Sequence, residues 1–344
     1  ETVRGESAFS ILIGRKFEQA QEDSNQCSNS TIRRINKDYS CVLNSLAWIS
    51  PGVDPLDDWK TLEWSQVKSD NPRIKWKQDS ETGKWWEDGV HKYESPQGQA
   101  PRCFIPNVPL SIAKLVFAYH NATCRESDLI SQSSFDRMAL LMRSNPSAFW
   151  PWFKKIKSIP LVITEGAKKA GASFSNGMVA ISIPGMWGAC KRRVDGERVE
   201  LKPEILALGL EGRTVYIALD QDPLAKPATR KQARISTERT AFLLSFEKAK
   251  PYIVGWKPEQ GKGLDDLIHN QGQKKFHEII GKAKSYVEGK IVGKLQGQLT
   301  RKANLKLNQQ ELDILFEILP SAGLIFLVSP KGTGKTKNFL AKLA

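Results

Sequence analysis

The sequence predicts an α/β protein: a parallel sheet with helices on both faces, preceded by a smaller β-rich α+β part. Three observations predict it. From Pro160 onward, short apolar runs ending in Gly or Asp alternate with helix-forming stretches, the rhythm of parallel strands joined by right-handed crossovers. Upstream, from Asn71, short aromatic or β-branched runs are separated by turn residues, as in an antiparallel meander. The 344 residues are 40% apolar and 26% charged, an ordinary globular composition with length enough for two cores.

Taken in order, residues 1–70 read as helical or irregular and carry no motif. Over 71–158, the runs RIKWKQ, KWWEDG, VHKYESP and PRCFIP read as strands of a meander, with DSETG as the first turn. Eight of the ten tryptophans lie at or before Trp152. Trp76, Trp85 and Trp86 stand among Lys75, Lys77 and Lys84; alternation favours rings that pack a small sheet. Base stacking beside lysines is the competing reading.

Over 159–280, IPLVITEG reads as a buried strand, AKKAGASFSNG as a helix closing on Asn-Gly, and VAISIPG as a second strand. PEILALGL is a short helix opened by proline. RTVYIALDQD is a third strand, residues 230–250 a long helix, YIVGWKP a fourth strand, and GLDDLIHNQG the start of another helix. In the glycine-bracketed IPGMWGA loop, Trp187 beside Lys191, Arg192 and Arg193 either stacks a base or packs a close turn. Residues 281–306 are rich in lysine and read as a solvated linker, with nucleic-acid contact as the alternative. Residues 307–344 begin with the amphipathic NQQELDILFEIL, followed by the strand GLIFLVS.

Charge narrows the partner. Fifty-one Lys and Arg against thirty-seven Asp and Glu leave a net +14, which favours a polyanion, because each cation placed on a phosphate releases a counterion; a merely soluble basic protein is the alternative. No apolar run is long enough to span a membrane, and no basic amphipathic stretch suggests a membrane surface. The N-terminal ETVRGESAFS has no initiator Met and no signal-peptide core, so the natural start is expected upstream and secretion is not. Five scattered cysteines without C-x-x-C spacing fit a reducing cytoplasm and support neither a disulfide framework nor a zinc ribbon.

Chemistry in α/β sheets sits beyond the C-terminal ends of the strands. Glu165 leaves the first strand, Asp220 and Asp222 leave the third as D-x-D, and Lys262, Asp265 and Asp266 precede the helix after the fourth. Crowded carboxylates raise each other's pKa unless something compensates. Mg²⁺ (or Mn²⁺) is the economical compensation, taking carboxylate oxygens and leaving positions for a phosphate substrate. Alternation is expected to turn Asp220 and Asp222 to one side, toward a shared ion. Glu165 is placed to bind metal or to move a proton. The structural alternative is that strand-end acids merely cap the following helices.

LVITEG, VYIALDQD and GKGLDDLI, in that order and spacing, resemble the Toprim domain of primases, topoisomerases and certain nucleases. ITEGAKKAGA, AISIPGMWG, VYIALDQD and KGLDDLI together resemble the Toprim-like domain of plasmid and phage replication proteins, those of cyanobacterial plasmids above all. The resemblance covers about residues 70–275, since HKYESPQGQAPRCFIP is similar to the segment preceding the Toprim strand. It implies a Rossmann-like parallel sheet with Glu165 as the Toprim glutamate. It also implies Asp220 and Asp222 as the metal pair, and Lys262 and Asp265 as the basic and acidic residues after the last strand. Metal candidates are therefore Glu165, Asp220, Asp222 and Asp265; phosphate candidates are Lys168, Lys169 and Lys262. The sequence departs from primases at Lys169, where they carry an acid, and in lacking the cysteines of an N-terminal zinc domain.

SPKGTGKT matches a phosphate loop, except that Ser329 replaces the first glycine. With a strand before it and a helix after it, the backbone at Lys331, Gly332 and Gly334 would cradle phosphates, Lys335 reach the β/γ oxygens and Thr336 bind Mg²⁺. Eight residues follow Thr336, so the expectation is the first part of a helicase-type ATPase, with ATP bound and oligomers formed only in a longer protein. The expected activity is Mg²⁺-dependent, primase-like nucleotidyl transfer on single-stranded DNA, with nucleotides as substrates. A Toprim nuclease and a non-catalytic origin-binding module are the alternatives.

Overall fold

The computed structural model describes residues 2–22, 29–191, 199–222, 224 and 226–287. The expected phosphate loop, with Lys331, Gly332, Gly334, Lys335 and Thr336, lies outside the described residues, as do Arg192, Arg193 and most of the lysine-rich stretch.

The chain begins with β1 (Thr2–Arg4), α1 (Gly5–Glu22), α2 (Asn29–Leu43) and β2 (Leu46–Ile49). Next come the short pair β3 (Val53–Asp54) and β4 (Lys60–Thr61), and then β5 (Val67–Ser69). β1, β2 and β5 form an antiparallel sheet in that order. Ala8, Leu12 and Ile13, spaced as one face of α1, close over Ala47, Ile49 and Val67 with Tyr39 and Val42. The sequence read this stretch only as helical or irregular; these strands went unread, because each is only two to four residues long and too short to show a period.

The expected meander is a single hairpin, β6 (Ile74–Gln78) and β7 (Trp85–Val90), with Gln78 opposite Trp85 and Lys77 opposite Trp86. Asp79 Oδ1 accepts from the Glu81 and Thr82 amides, and Gly83 takes φ +67, which closes the turn. Trp76, Trp85 and Trp86 are 55%, 62% and 44% exposed. They pack no sheet, contrary to the expectation from alternation. A hairpin alternates whether or not anything covers it, so period alone did not report burial.

Three helices follow where the sequence suggested none: α3 (Leu110–Thr123), α4 (Gln132–Leu141) and α5 (Phe149–Lys155). The aromatic segment of α5 is core. Phe149, Trp150 and Phe153 are fully buried, Trp150 stacks on Trp59 at 6.0 Å, and its Nε1 donates to the Pro106 carbonyl. Pro151 is tolerated because it falls in the first helical turn.

The remaining elements are β8 (Leu161–Glu165), α6 (Ala167–Phe174), β9 (Val179–Ile183), α7 (Pro203–Leu206), β10 (Thr214–Ala218), α8 (Pro227–Phe246), β11 (Lys250–Ile253), α9 (Leu264–Gly281) and β12 (Lys284–Ser285). The sheet order is β12-β11-β10-β8-β9, parallel except for β12. All of β9 and the first four residues of β8 are buried, as in a sheet covered on both faces. The crossovers leave β8 and β10 in opposite directions, which puts α6 and α8 on opposite faces when both are right-handed. One continuous hydrophobic cluster runs from Val53 to Ile280. The outer edge of β9 is closed at Ser182, which exchanges both backbone hydrogen bonds with Phe104.

At the opposite end of the strands from the acids, Arg213 is fully buried just ahead of β10. Its guanidinium donates to the carbonyls of Phe153 (2.8 Å), Ile156 (3.0 Å), Ile159 (2.5 Å) and Gly209 (3.0 Å). It also lies 3.8 Å over the Phe153 ring. Burial pulls its pKa down to about 9, so it remains charged at neutral pH. Arg213→Met leaves these carbonyls without donors, at ~1–3 kcal/mol for each buried group. The expected loss is therefore about 3 kcal/mol or more in urea unfolding. Trp85→Ala, on the exposed hairpin, is expected to shift the same midpoint by less than about 0.5 kcal/mol.

Candidate functional site

β8 and β10 are neighbours from which the chain departs in opposite directions, so a crevice opens beyond their C-terminal ends. Glu165 is the last residue of β8, and Asp220 lies two residues beyond β10, which ends at Ala218. The register pairs Ala218 with Thr164, so the two acids emerge side by side. Gly166, at φ +90, turns the chain directly into α6. Nothing lies within 4 Å of a Cβ built there, so glycine serves the backbone conformation rather than space.

In the first turn of α6, Lys169 sends its side chain to Asp220, with Nζ 2.7 Å from Oδ1. The route crosses Gly263, where a Cβ would stand 2.2 Å from Lys169 Cε and 2.6 Å from Asp265 Oδ1. Gly263 is a site residue the sequence did not reveal; its only signal was the bracket GKG before the helix. Lys262, beside it, donates to Asp222 Oδ2 at 2.6 Å. The Lys262 carbonyl accepts from the Gln221 amide at 2.8 Å, which ties the two loops together. Trp256 Nε1 donates to the Gly261 carbonyl at 2.7 Å and steadies the same loop.

The expected roles are thus distributed unevenly. Glu165, Asp220, Lys169 and Lys262 share one electrostatic neighbourhood. Asp222 accepts from Lys262 and from the Leu224 amide, while Asp220 lies against Lys169; both aspartates lie past the end of β10, where strand alternation no longer orients them. Asp265 comes close to Lys169 over Gly263, whereas Asp266 caps α9 by accepting from the Gly263 amide at 3.1 Å. Lys168 is exposed and, among the described residues, pairs with none of these acids. Trp187 is 38% exposed with Arg239 4.8 Å over its ring.

Burial, followed by the Asp220 charge, pushes the Glu165 carboxyl above its ordinary value, while Lys169 and Lys262 pull against them. The hydrogen bond from Lys262, followed by that from the Leu224 amide, holds Asp222 below the ordinary carboxylate value.

Among the described residues, no three His, Cys, Asp or Glu side chains form a ready metal cage. Mg²⁺ does not require one, since one or two carboxylates suffice when a phosphate completes the shell. Glu165 and Asp220 are such a pair. The Lys169 contact is a charge contact only: Asp220 Oδ1 is buried without an aligned hydrogen bond, and Asp265 Oδ1 is buried without one as well. Unsatisfied carboxylate oxygens next to a shared field suit a cation, so the residues fit one divalent ion in exchange for the Lys169 contact.

The raised Glu165 pKa carries a sign. The fold favours the neutral acid; that contribution is full below the ordinary value of 4.5 and is lost as pH rises through the folded value. Glu165→Gln is therefore expected to be more stable than the wild type at pH 7, with the gap closing as pH falls to 4.5. Urea midpoints at the two pH values check this, and a variant less stable than wild type at pH 7 contradicts it.

Residues 149–275 match a family model described as a domain of unknown function, DUF3854. Over 308 residues the chain is 30% identical to an uncharacterized protein of Picosynechococcus sp.. That match covers 88% of this chain and 27% of the relative, so the chain spans about a quarter of the relative's length. Solved structures of similar shape include the Aquifex aeolicus primase (zinc-binding and RNA polymerase domains), with TM-score 0.37, 12% identity, and coverage of 80% of this chain and 54% of that one. The DnaG primase catalytic domain bound to ssDNA gives TM-score 0.35 at 12% identity, covering 79% of this chain and 61% of that one. The RNA polymerase domain of the Mycobacterium tuberculosis primase gives 0.35 at 12%, covering 87% and 70%. At these scores the likeness is loose.

Proposed function

We propose that the rim formed by Glu165, Asp220 and Asp222 is a Mg²⁺-dependent nucleotidyl-transfer site, primase-like in action, that makes or extends a primer on single-stranded DNA. One observation carries the proposal: Glu165 and Asp220 are placed together where the crossovers diverge, with the buried Asp220 Oδ1 lacking an aligned hydrogen bond. Glu165 and Asp220 would hold the ion, which when bound neutralises charge developing on a phosphoryl group. If Asp220 alone holds the ion, Glu165 is instead placed to take up a proton from an attacking hydroxyl. Asp222 holds Lys262 by its 2.6 Å hydrogen bond, and Lys262 presents its ammonium to substrate phosphate. The net +14 and the exposed Trp76, Trp85 and Trp86 support a DNA strand held by phosphate contacts and base stacking. In the longer protein, Lys335 and Thr336 would bind ATP for a helicase-type motor.

A second reading, a non-catalytic DNA-binding module, is favoured by the two lysines that already neutralise Asp220 and Asp222. One experiment separates the readings: primer synthesis on a single-stranded template with nucleotides and Mg²⁺, alongside DNA affinity across a salt series. The proposal expects product from the wild type and about a hundredfold less from Asp220→Ala, with DNA affinity preserved. Equal product from both proteins sinks it. No product from either, with affinity falling steeply in salt, selects the binding module. Cleavage of DNA without added nucleotides would identify a nuclease.

A further inference from the structure

Lys169 and Asp220 form the least exposed ion pair of the site, with side chains 17% and 19% exposed against 54% and 32% for Lys262 and Asp222. The Lys169 ammonium sits 2.7 Å from Asp220 Oδ1. A divalent ion bound to the same carboxylate would sit about 2 Å from its oxygen, so two cations would crowd one another in a partly buried setting where repulsion is poorly screened. Lys169 is also held lightly at its tip. Its contact with Asp220 lacks hydrogen-bond alignment, and it gains its path only because residue 263 has no side chain. A flexible four-carbon stem lets such an ammonium swing to another anion.

We infer that Lys169 is the resident counter-ion of Asp220 and competes with the divalent ion for that carboxylate, and that substrate phosphate relieves the competition by drawing the ammonium away. The inference rests on the proposed reading of Glu165 and Asp220 as metal ligands. It makes the site load metal and phosphate together: metal alone must displace Lys169, phosphate alone gains a free ammonium only by leaving Asp220 unpaired, and each favours the other. The coupling is reciprocal, as linkage requires.

The test uses Mn²⁺ alone, titrated into nucleotide-free protein and followed by electron paramagnetic resonance and calorimetry, so that no activity is needed. Lys169→Met is expected to bind Mn²⁺ at least tenfold more tightly than wild type, and Lys169→Arg to stay weak. Gly263→Ala provides a variant of unchanged charge. Residue 263 has φ −104 and ψ 170, a conformation open to alanine, but the new Cβ must displace the Lys169 tip and shift Asp265 Oδ1 as well. It should therefore tighten Mn²⁺ in the same direction. In the Lys169→Met background, Asp220→Asn should abolish the gain. Equal Mn²⁺ affinity in wild type, Lys169→Met and Gly263→Ala, with Asp220→Asn weakening all three, overturns the competition and leaves the metal reading standing. Absence of Mn²⁺ binding in every variant, with thermal melts confirming folded protein, overturns both.

Discussion

The buried guanidinium of Arg213 is the interaction from which the geometry of the site follows. It gathers carbonyls from the end of α5, from the approach to β8 and from the turn before β10, so it fastens the starting points of the two central strands. Both strands are five residues long and paired in register from Leu161 with Val215 to Thr164 with Ala218. A fixed start and a fixed length bring their far ends level. Glu165 and Asp220 are neighbours because the strands beneath them cannot slide.

Above that base, the site carries its own counter-charges. Each aspartate of the D-x-D segment has a lysine, Lys169 for Asp220 and Lys262 for Asp222. Among the described residues Glu165 has no direct lysine partner of that kind, and its pKa is raised, chiefly by its burial. The arrangement concentrates carboxylates in a place of limited solvation, a cost in stability typical of functional sites. It also gives the neighbouring acids distinct surroundings: Asp222 is hydrogen-bonded to Lys262, Asp220 lies against Lys169, and Glu165 is set apart by its burial.

Tryptophans show how little residue type alone says about placement. Trp150 is buried against Trp59, with its indole nitrogen bonded to a backbone carbonyl. Trp85 stands largely in solvent on a hairpin. Both lie in segments mixing aromatic rings with lysines. The difference is what packs nearby: α5 lies under the sheet's own core, while both faces of the hairpin are exposed along β6 and β7. Local alternation described the strands of the hairpin correctly and was silent about whether any partner layer existed.

By itself, the sequence determined the parallel sheet, its crossovers and the placement of Glu165, Asp220, Asp222 and Lys262 at strand ends or in the following loop. Those features follow from short-range periodicity and from the rule that strand ends carry chemistry. Only the tertiary structure decided which acid meets which lysine, because Lys169 and Asp220 lie far apart in the chain and meet through the sheet order. It alone showed that Gly263 leaves the path for a lysine arriving from another element. It also separated Asp265 beside that lysine from Asp266 at a helix cap, a difference of orientation between adjacent residues that no spacing in the sequence encodes.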